Sequence, residues 1–333
     1  MAHLVSSMAY VGETPWHGLG HALPANQPIE VWAQQAGMDW RILDTPVRYL
    51  SEAQGPQGHL GTVHTYPDQR VLYRSDTKEP LSVVSQRYQI VQPREVLEFY
   101  RDLSDVSGFS LETAGVLKGG RKFWALARTG QTTTIKGSDT VHGYLLLATS
   151  CDGTLATTAT PTTVRVVCNN TLAIALNGAT QAIKVPHRTA FDAQAVKQDL
   201  GIAISQWDDF MYRMKALAER KVKSRESMNF FVKVFAGADT GNTPNTANTK
   251  GASTALANER AINKAMTLFN GQGKGAELGS AKGTAWGLLN SVTEFVDHER
   301  RAKSEDHRQD SAWFGSGASV KQKALELALD LVS

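Results

Sequence analysis

The stretch "TPTTVRVVCNNTLAIAL", residues 160–176, decides how this 333-residue chain is built. Read as a strand, it puts Val164, Val166 and Cys168 on one face and Arg165, Val167 and Asn169 on the other. Read as a helix, it aligns Val164, Val167, Cys168, Thr171, Leu172 and Ala175 at the i, i+3, i+4, i+7 spacing of a helix packed on a sheet. The helical count is higher, and Thr160 and Pro161 supply a cap and a first-turn proline. The spacing therefore predicts a helix, with Thr162, Arg165 and Asn169 in a row along one side. Free N–H groups at its start and an arginine one turn in would form an anion site. The competing reading pairs Arg165 with a carboxylate such as Asp152 and turns the asparagines onto backbone.

Working outward, "PREVLEFYRDLSDV" opens with Pro93 and places Val96, Leu97 and Tyr100 on one helical face. In "SLETAGVLKGGRKFWALAR" two extended runs flank Gly119 and Gly120, a pair able to supply the positive φ of a tight turn. A two-residue turn there sets Lys118 opposite Arg121 and Leu117 opposite Lys122. Lys122, Trp124, Leu126 and Arg128 then point to one side, and Phe123, Ala125 and Ala127 to the other. "HGYLLLATSCDGTLATTAT" adds a strand, an Asp-Gly turn and a further strand. Residues 1–30 carry four turn signals and read as an irregular arm, followed by a helix over Ile29–Trp40 that stops at Gly37. "RILDTPVRYL" reads as extended, with Pro46 marking an edge strand or a bulge. The expected fold is α+β: an antiparallel sheet with a β-β-β-α core, helices packed on one face, and a helical C-terminal region. Its parts are a core domain over 1–190, a helical extension over 191–236, a flexible, low-complexity linker over 237–283 and C-terminal helices over 284–333.

Composition narrows the function. Hydrophobic residues make up 41% and charged residues 20%, as in a soluble globular protein. No run approaches the roughly 18 apolar residues of a membrane span, and "MAHLVSSMAYVGETPWHG" lacks a secretory signal's basic start and apolar stretch. A cytoplasmic location, with no membrane partner, is expected. Cys151 and Cys168 form neither a disulfide scaffold nor a zinc pair. His17 and His21 have i, i+4 spacing, but Gly18 and Gly20 break the helix that a metal site there would need. "GQGKGAELGS" lacks the Gly-Lys-Ser/Thr ending of a phosphate loop, which argues against nucleotide hydrolysis. Cys168 near a helix start, with His187 as its partner, would be a nucleophile; its place on the apolar stripe favours a buried, inert thiol. With no catalytic constellation, the expectation is binding without cofactor, metal or covalent chemistry.

A net charge of +3 neither demands nor excludes nucleic acid, so local clustering decides. The hairpin gathers Lys118, Arg121, Lys122 and Arg128 around Trp124, and basic groups interleaved with an aromatic suit a phosphate backbone with stacked bases. Thr162, Arg165 and Asn169 would extend that surface, and Arg87 of "SQRYQ" would join it.

Four motifs, "MAYVGETPWHGLG", "SVVSQRYQIVQP", "YLLLATSCDGT" and "TTVRVVCNNTLAIAL", resemble in this order the phage/plasmid-like protein family known as domain of unknown function family 932. The resemblance runs from about residue 8 to about residue 190 and implies a phage, prophage or plasmid context. A remoter similarity, in element order, is to the ring-forming single-strand annealing proteins of homologous recombination. It implies a homo-oligomer holding single-stranded DNA, or RNA, in a basic groove. Lys118, Arg121, Lys122, Arg128 and Arg165 would then meet phosphates, and Trp124 would stack or support the groove. The expected function is single-stranded nucleic-acid binding and strand annealing in recombination. The alternatives are a nucleic-acid-directed hydrolase or nuclease, and a protein-interaction module such as a host-defence inhibitor.

Overall fold

The computed structural model describes residues 5–12, 20–51, 61–107, 109–167, 170–176, 179–180, 182–189, 192, 207–236 and 250–333. Its centre is a mostly antiparallel sheet in a mixed α+β fold. The first strands come from the expected arm: β1 (Val5–Val11) pairs in parallel with β2 (His21–Leu23). Pro28 then leads into α1 (Ile29–Gln35), which stops before Gly37 at φ 68°. β3 (Ile42–Ser51), β4 (Thr62–Arg74) and β5 (Pro80–Ser85) form a separate three-stranded sheet. β3 is its edge strand, and the register slips between Pro46 and Val47, so the proline marks both an edge and a bulge.

α2 (Pro93–Ser107) begins at its proline and buries Val96, Leu97 and Tyr100. β6 (Ser110–Leu117) and β7 (Lys122–Lys136) follow, with Leu117 opposite Lys122 as expected. The turn spends four residues rather than two: Lys118, Gly119 and Gly120 all adopt positive φ. A Cβ at Gly120 would stand 3.0 Å from the Trp40 ring, so close packing as well as φ requires glycine there. β8 (Asp139–Ser150) runs back along β7, and the Asp-Gly turn leads to β9 (Thr157–Arg165).

The predicted helix over 160–176 does not form. β9 continues to Arg165, and β10 (Asn170–Ala173) returns along it, followed by the short ribbon β11 (Ala175–Leu176) and β12 (Ala179–Thr180), and then β13 (Ile183–Val185). The sheet order is β10-β9-β8-β7-β6-β1-β2, with β13 also on β9, so the fourth core element is a strand and not the α of β-β-β-α. β9 lies inside the sheet, and most of its side chains are buried on both faces, which erases the alternation a half-exposed strand shows. Pro161 fits because its carbonyl accepts from Ile174 N–H at 2.9 Å on the side where β13 has ended and β10 begins. Its missing N–H faces that gap, so the ladder loses no hydrogen bond there.

The C-terminal region wraps this sheet. α3 (Trp207–Glu219) and α4 (Ser224–Phe235) match the expected helical extension, although residues 193–206 lie outside the described ones. Within the expected linker, 237–249 likewise lie outside, but α5 (Lys250–Thr267) is helical and 273–283 are turns packed under the sheet. α6 (Ala285–Glu294), α7 (Glu305–Phe314) and α8 (Ser316–Leu329) complete the chain. Helices lie on both sheet faces rather than one. α2 covers Phe123, Ala125 and Ala127, while Trp313 and Phe314 of α7 cover Trp124 and Leu126 on the reverse. Among the described residues no helix is long and apolar enough to cross a membrane.

Candidate functional site

The strand splits the row expected to meet an anion. Cross-strand partners share a face, so Thr162 lies with Tyr144 and Arg128, and Val164 with His142 and Thr132. Arg165 points to the opposite face, and Asn169 lies outside the described residues. The Thr162 hydroxyl donates to the Leu172 carbonyl at 2.9 Å. Arg165, 3% exposed, grips Asp139, 0% exposed, through Nε and Nη2 at 2.8 Å each. Its remaining N–H groups reach the carbonyls of Lys274 and Gly275, while Ser280 and Trp286 donate to Asp139 at 2.6 and 2.9 Å. Burial pushes the Asp139 carboxyl up, but hydrogen bonding and charge from Arg165 override it and hold it below the usual carboxylate range. Arg165 is thus an ion-paired arginine, as the competing reading had it, with Asp139 and not Asp152 as its partner.

At the hairpin, Lys118 Nζ lies 2.6 Å from Asp310 of α7, and Lys122 Nζ donates to the same carboxylate. Trp124 is 1% exposed and meets Trp313 edge-on with ring centres 5.0 Å apart, so it is a packed wall rather than an open stacking platform. Arg121 and Arg87 are exposed, and Arg128 is half-buried. The sequence-derived surface is therefore divided between an α7-capped tip, a buried ion pair and separate exposed arginines.

The same sheet face forms an open trough of about 870 Å³. Its lining includes Trp124, Leu126, Arg128, Tyr144 and Val164 from the sheet, with Trp313 of α7 beside them. Tyr144 OH donates to Glu112, 2.9 Å from both carboxylate oxygens. Arg128 Nη2 lies 3.0 Å from both ring nitrogens of His142, and Thr132 Oγ1 is 3.0 Å from Nδ1. Burial, then repulsion by Arg128, holds His142 below the usual imidazole range, so the ring is neutral at pH 7. No carboxylate pairs with Arg128 among the described residues, so the guanidinium charge is met only by that ring. The indole N–H of Trp124 is buried without an acceptor among the described residues. Asp297 and Thr171 also line the trough, and both are engaged by Lys321, whose Nζ is 2.7 Å from Asp297 Oδ1 and 2.9 Å from Thr171 Oγ1.

Sequence reasoning missed Glu112, His142, Tyr144 and Trp313. His142 and Tyr144 carried a usable signal, since i, i+2 spacing in a strand puts both on one face. Trp313 lies more than 180 residues from Trp124 and carried none. Of the nucleophile candidates, Cys168 lies outside the described residues, while the His187 ring bonds the carbonyls of Gln89 and Leu155. Burial pushes the Cys151 thiol up to about 12, which makes it inert. Among the described residues no three His, Cys, Asp or Glu groups converge as metal ligands.

Residues 80–313 match the family model described as Domain of unknown function (DUF932). The chain belongs to this family. The span shared with DUF932 contains Arg128, His142 and Trp313 of the trough, the Arg165–Asp139 pair, and Asp310. β1 to β4 and α8 lie outside it. No curated protein and no solved structure matches the chain.

Proposed function

We propose that this chain binds single-stranded nucleic acid through the trough, with a base against the Tyr144 and Trp313 walls and a phosphate on Arg128. One observation carries the reading: the half-buried Arg128 guanidinium, with no carboxylate partner among the described residues, sits beside aromatic walls in a cavity large enough for a nucleotide. A shielded cation in such a place is favourable only when an anion joins it. Strand annealing by a homo-oligomer of a phage or plasmid protein is the wider form of this reading. It draws on the exposed Arg87 and Arg121, because Lys118 and Lys122 are engaged by Asp310 and Arg165 by Asp139.

The test measures binding of a labelled single-stranded oligonucleotide across a salt series, for the unaltered chain, for Arg128→Met, and for the triple change of Lys118, Arg121 and Lys122 to Ala. Arg128→Met should lower affinity at every salt concentration and make the log–log slope shallower by about 0.7, one phosphate's share for a single strand. The triple change should leave most binding in place. Binding abolished by the triple change and untouched by Arg128→Met would move the site to the hairpin tip. A second reading, a hydrolase or nuclease, is favoured by Glu112, His142 and Tyr144 sharing one trough with Arg128. Cleavage of the same oligonucleotide with divalent metal present would support it.

A further inference from the structure

We infer that Arg128 and His142 together seat a phosphomonoester, so that the trough prefers a nucleotide or strand ending in phosphate over an internal phosphodiester. This rests on the trough reading above and assigns the charge state of its ligand. The two side chains hold each other 3.0 Å apart on adjacent strands, and Thr132 on one side of the ring fixes its orientation. Empty, the pair carries one positive charge, because burial and the guanidinium keep His142 neutral. A phosphate arriving beside them brings the opposite field, and the imidazole can then take a proton from solvent and donate one N–H to the phosphate while Thr132 holds the other nitrogen.

The loaded seat would carry two positive charges. A phosphomonoester, with a second pKa near 6, brings between one and two negative charges at neutral pH, whereas a diester brings only one. The fork of the guanidinium also matches two phosphate oxygens at once. The other titratable groups lining the trough are Glu30, Tyr100, Arg101, Glu112, Tyr144 and Asp297. Glu30 is bridged to Arg94, Glu112 accepts from Tyr144, and Asp297 is held by Lys321, so existing contacts engage all three carboxylates.

The experiment uses fluorescence anisotropy with internally labelled ten-nucleotide oligothymidines carrying a phosphate at the 5′ end, at the 3′ end, or at neither. One of the phosphorylated forms should bind about tenfold tighter than the unphosphorylated one at pH 6.5. The advantage should shrink at pH 8, where protonating His142 is harder. Arg128→Met should abolish the preference, Arg128→Lys should keep part of it, and His142→Gln should flatten its pH dependence. Millimolar inorganic phosphate should compete with the phosphorylated probe. Equal, Arg128-dependent binding of all three probes would overturn the phosphomonoester seat and leave the trough reading standing. A phosphate preference that survives Arg128→Met with its pH dependence intact in His142→Gln would place the seat elsewhere. No binding of any probe would remove the trough reading and the seat with it.

Discussion

Two arginines of one sheet, Arg165 and Arg128, have opposite environments. Arg165 is sealed beneath the turns at 273–283, with a bidentate carboxylate and two carbonyls. Arg128 faces the trough from the other side of the sheet, and among the described residues its hydrogen-bond partner is the His142 imidazole. The first is paired within the protein and serves the fold; the second keeps charge in reserve and points to a ligand. Basic residues counted along the sequence look alike, and only their partners separate them.

The largest expected effect comes from breaking the sealed pair. Asp139→Ala leaves a buried guanidinium uncompensated and should cost about 3–5 kcal/mol in urea-induced unfolding. A cost below about 1 kcal/mol would mean that water reaches Arg165, and the contrast with Arg128 would collapse. The same pair predicts the acid limb. Because the folded Asp139 carboxyl sits below its ordinary value of 3.8, its contribution is present above that pH and is lost as pH falls through the lower folded value. Replacing Asp139 with Asn should remove that part of the acid-induced loss.

Next in size is the α7 cap. Asp310→Asn strips the charge that Lys118 and Lys122 share, and Lys122 is buried, so stability should fall by about 1–3 kcal/mol by thermal or urea melting. It should also steepen the salt dependence of oligonucleotide binding, since Lys118 at the tip loses the carboxylate it shares. An unchanged slope would show that the tip does not face the strand.

The smallest expected effect is the sharpest test. Arg128→Met should change stability by less than about 1 kcal/mol, because no ion pair is lost, while it removes ligand binding. A large loss of stability with binding intact would make Arg128 a second Arg165.

How much of this was legible follows from burial. α2 showed because one face is apolar and Pro93 marks its start, and the β6–β7 hairpin showed because Gly119 and Gly120 carry the turn and Leu117 pairs with Lys122. β9 did not show, because a strand covered on both faces has no polar side to alternate, and its Val164 fits a helical stripe with the residues that follow. β1 was hidden among turn signals. For the site, the sides of Trp124, Leu126 and Arg128 were readable from strand period alone. Their partners were not: Asp310, Trp313, Ser280 and Trp286 come from more than 100 residues away, and no local pattern announces them.

That distance has a consequence for synthesis on the ribosome. When β10 has emerged, the main strands of the central sheet exist, yet Ser280, Trp286 and Asp310 are still untranslated. The nascent chain must carry Trp124 uncovered, and the Arg165–Asp139 contact without its roof, for over a hundred further residues. Chaperone dependence of this protein should therefore concentrate in that window of elongation, and end once α7 can dock.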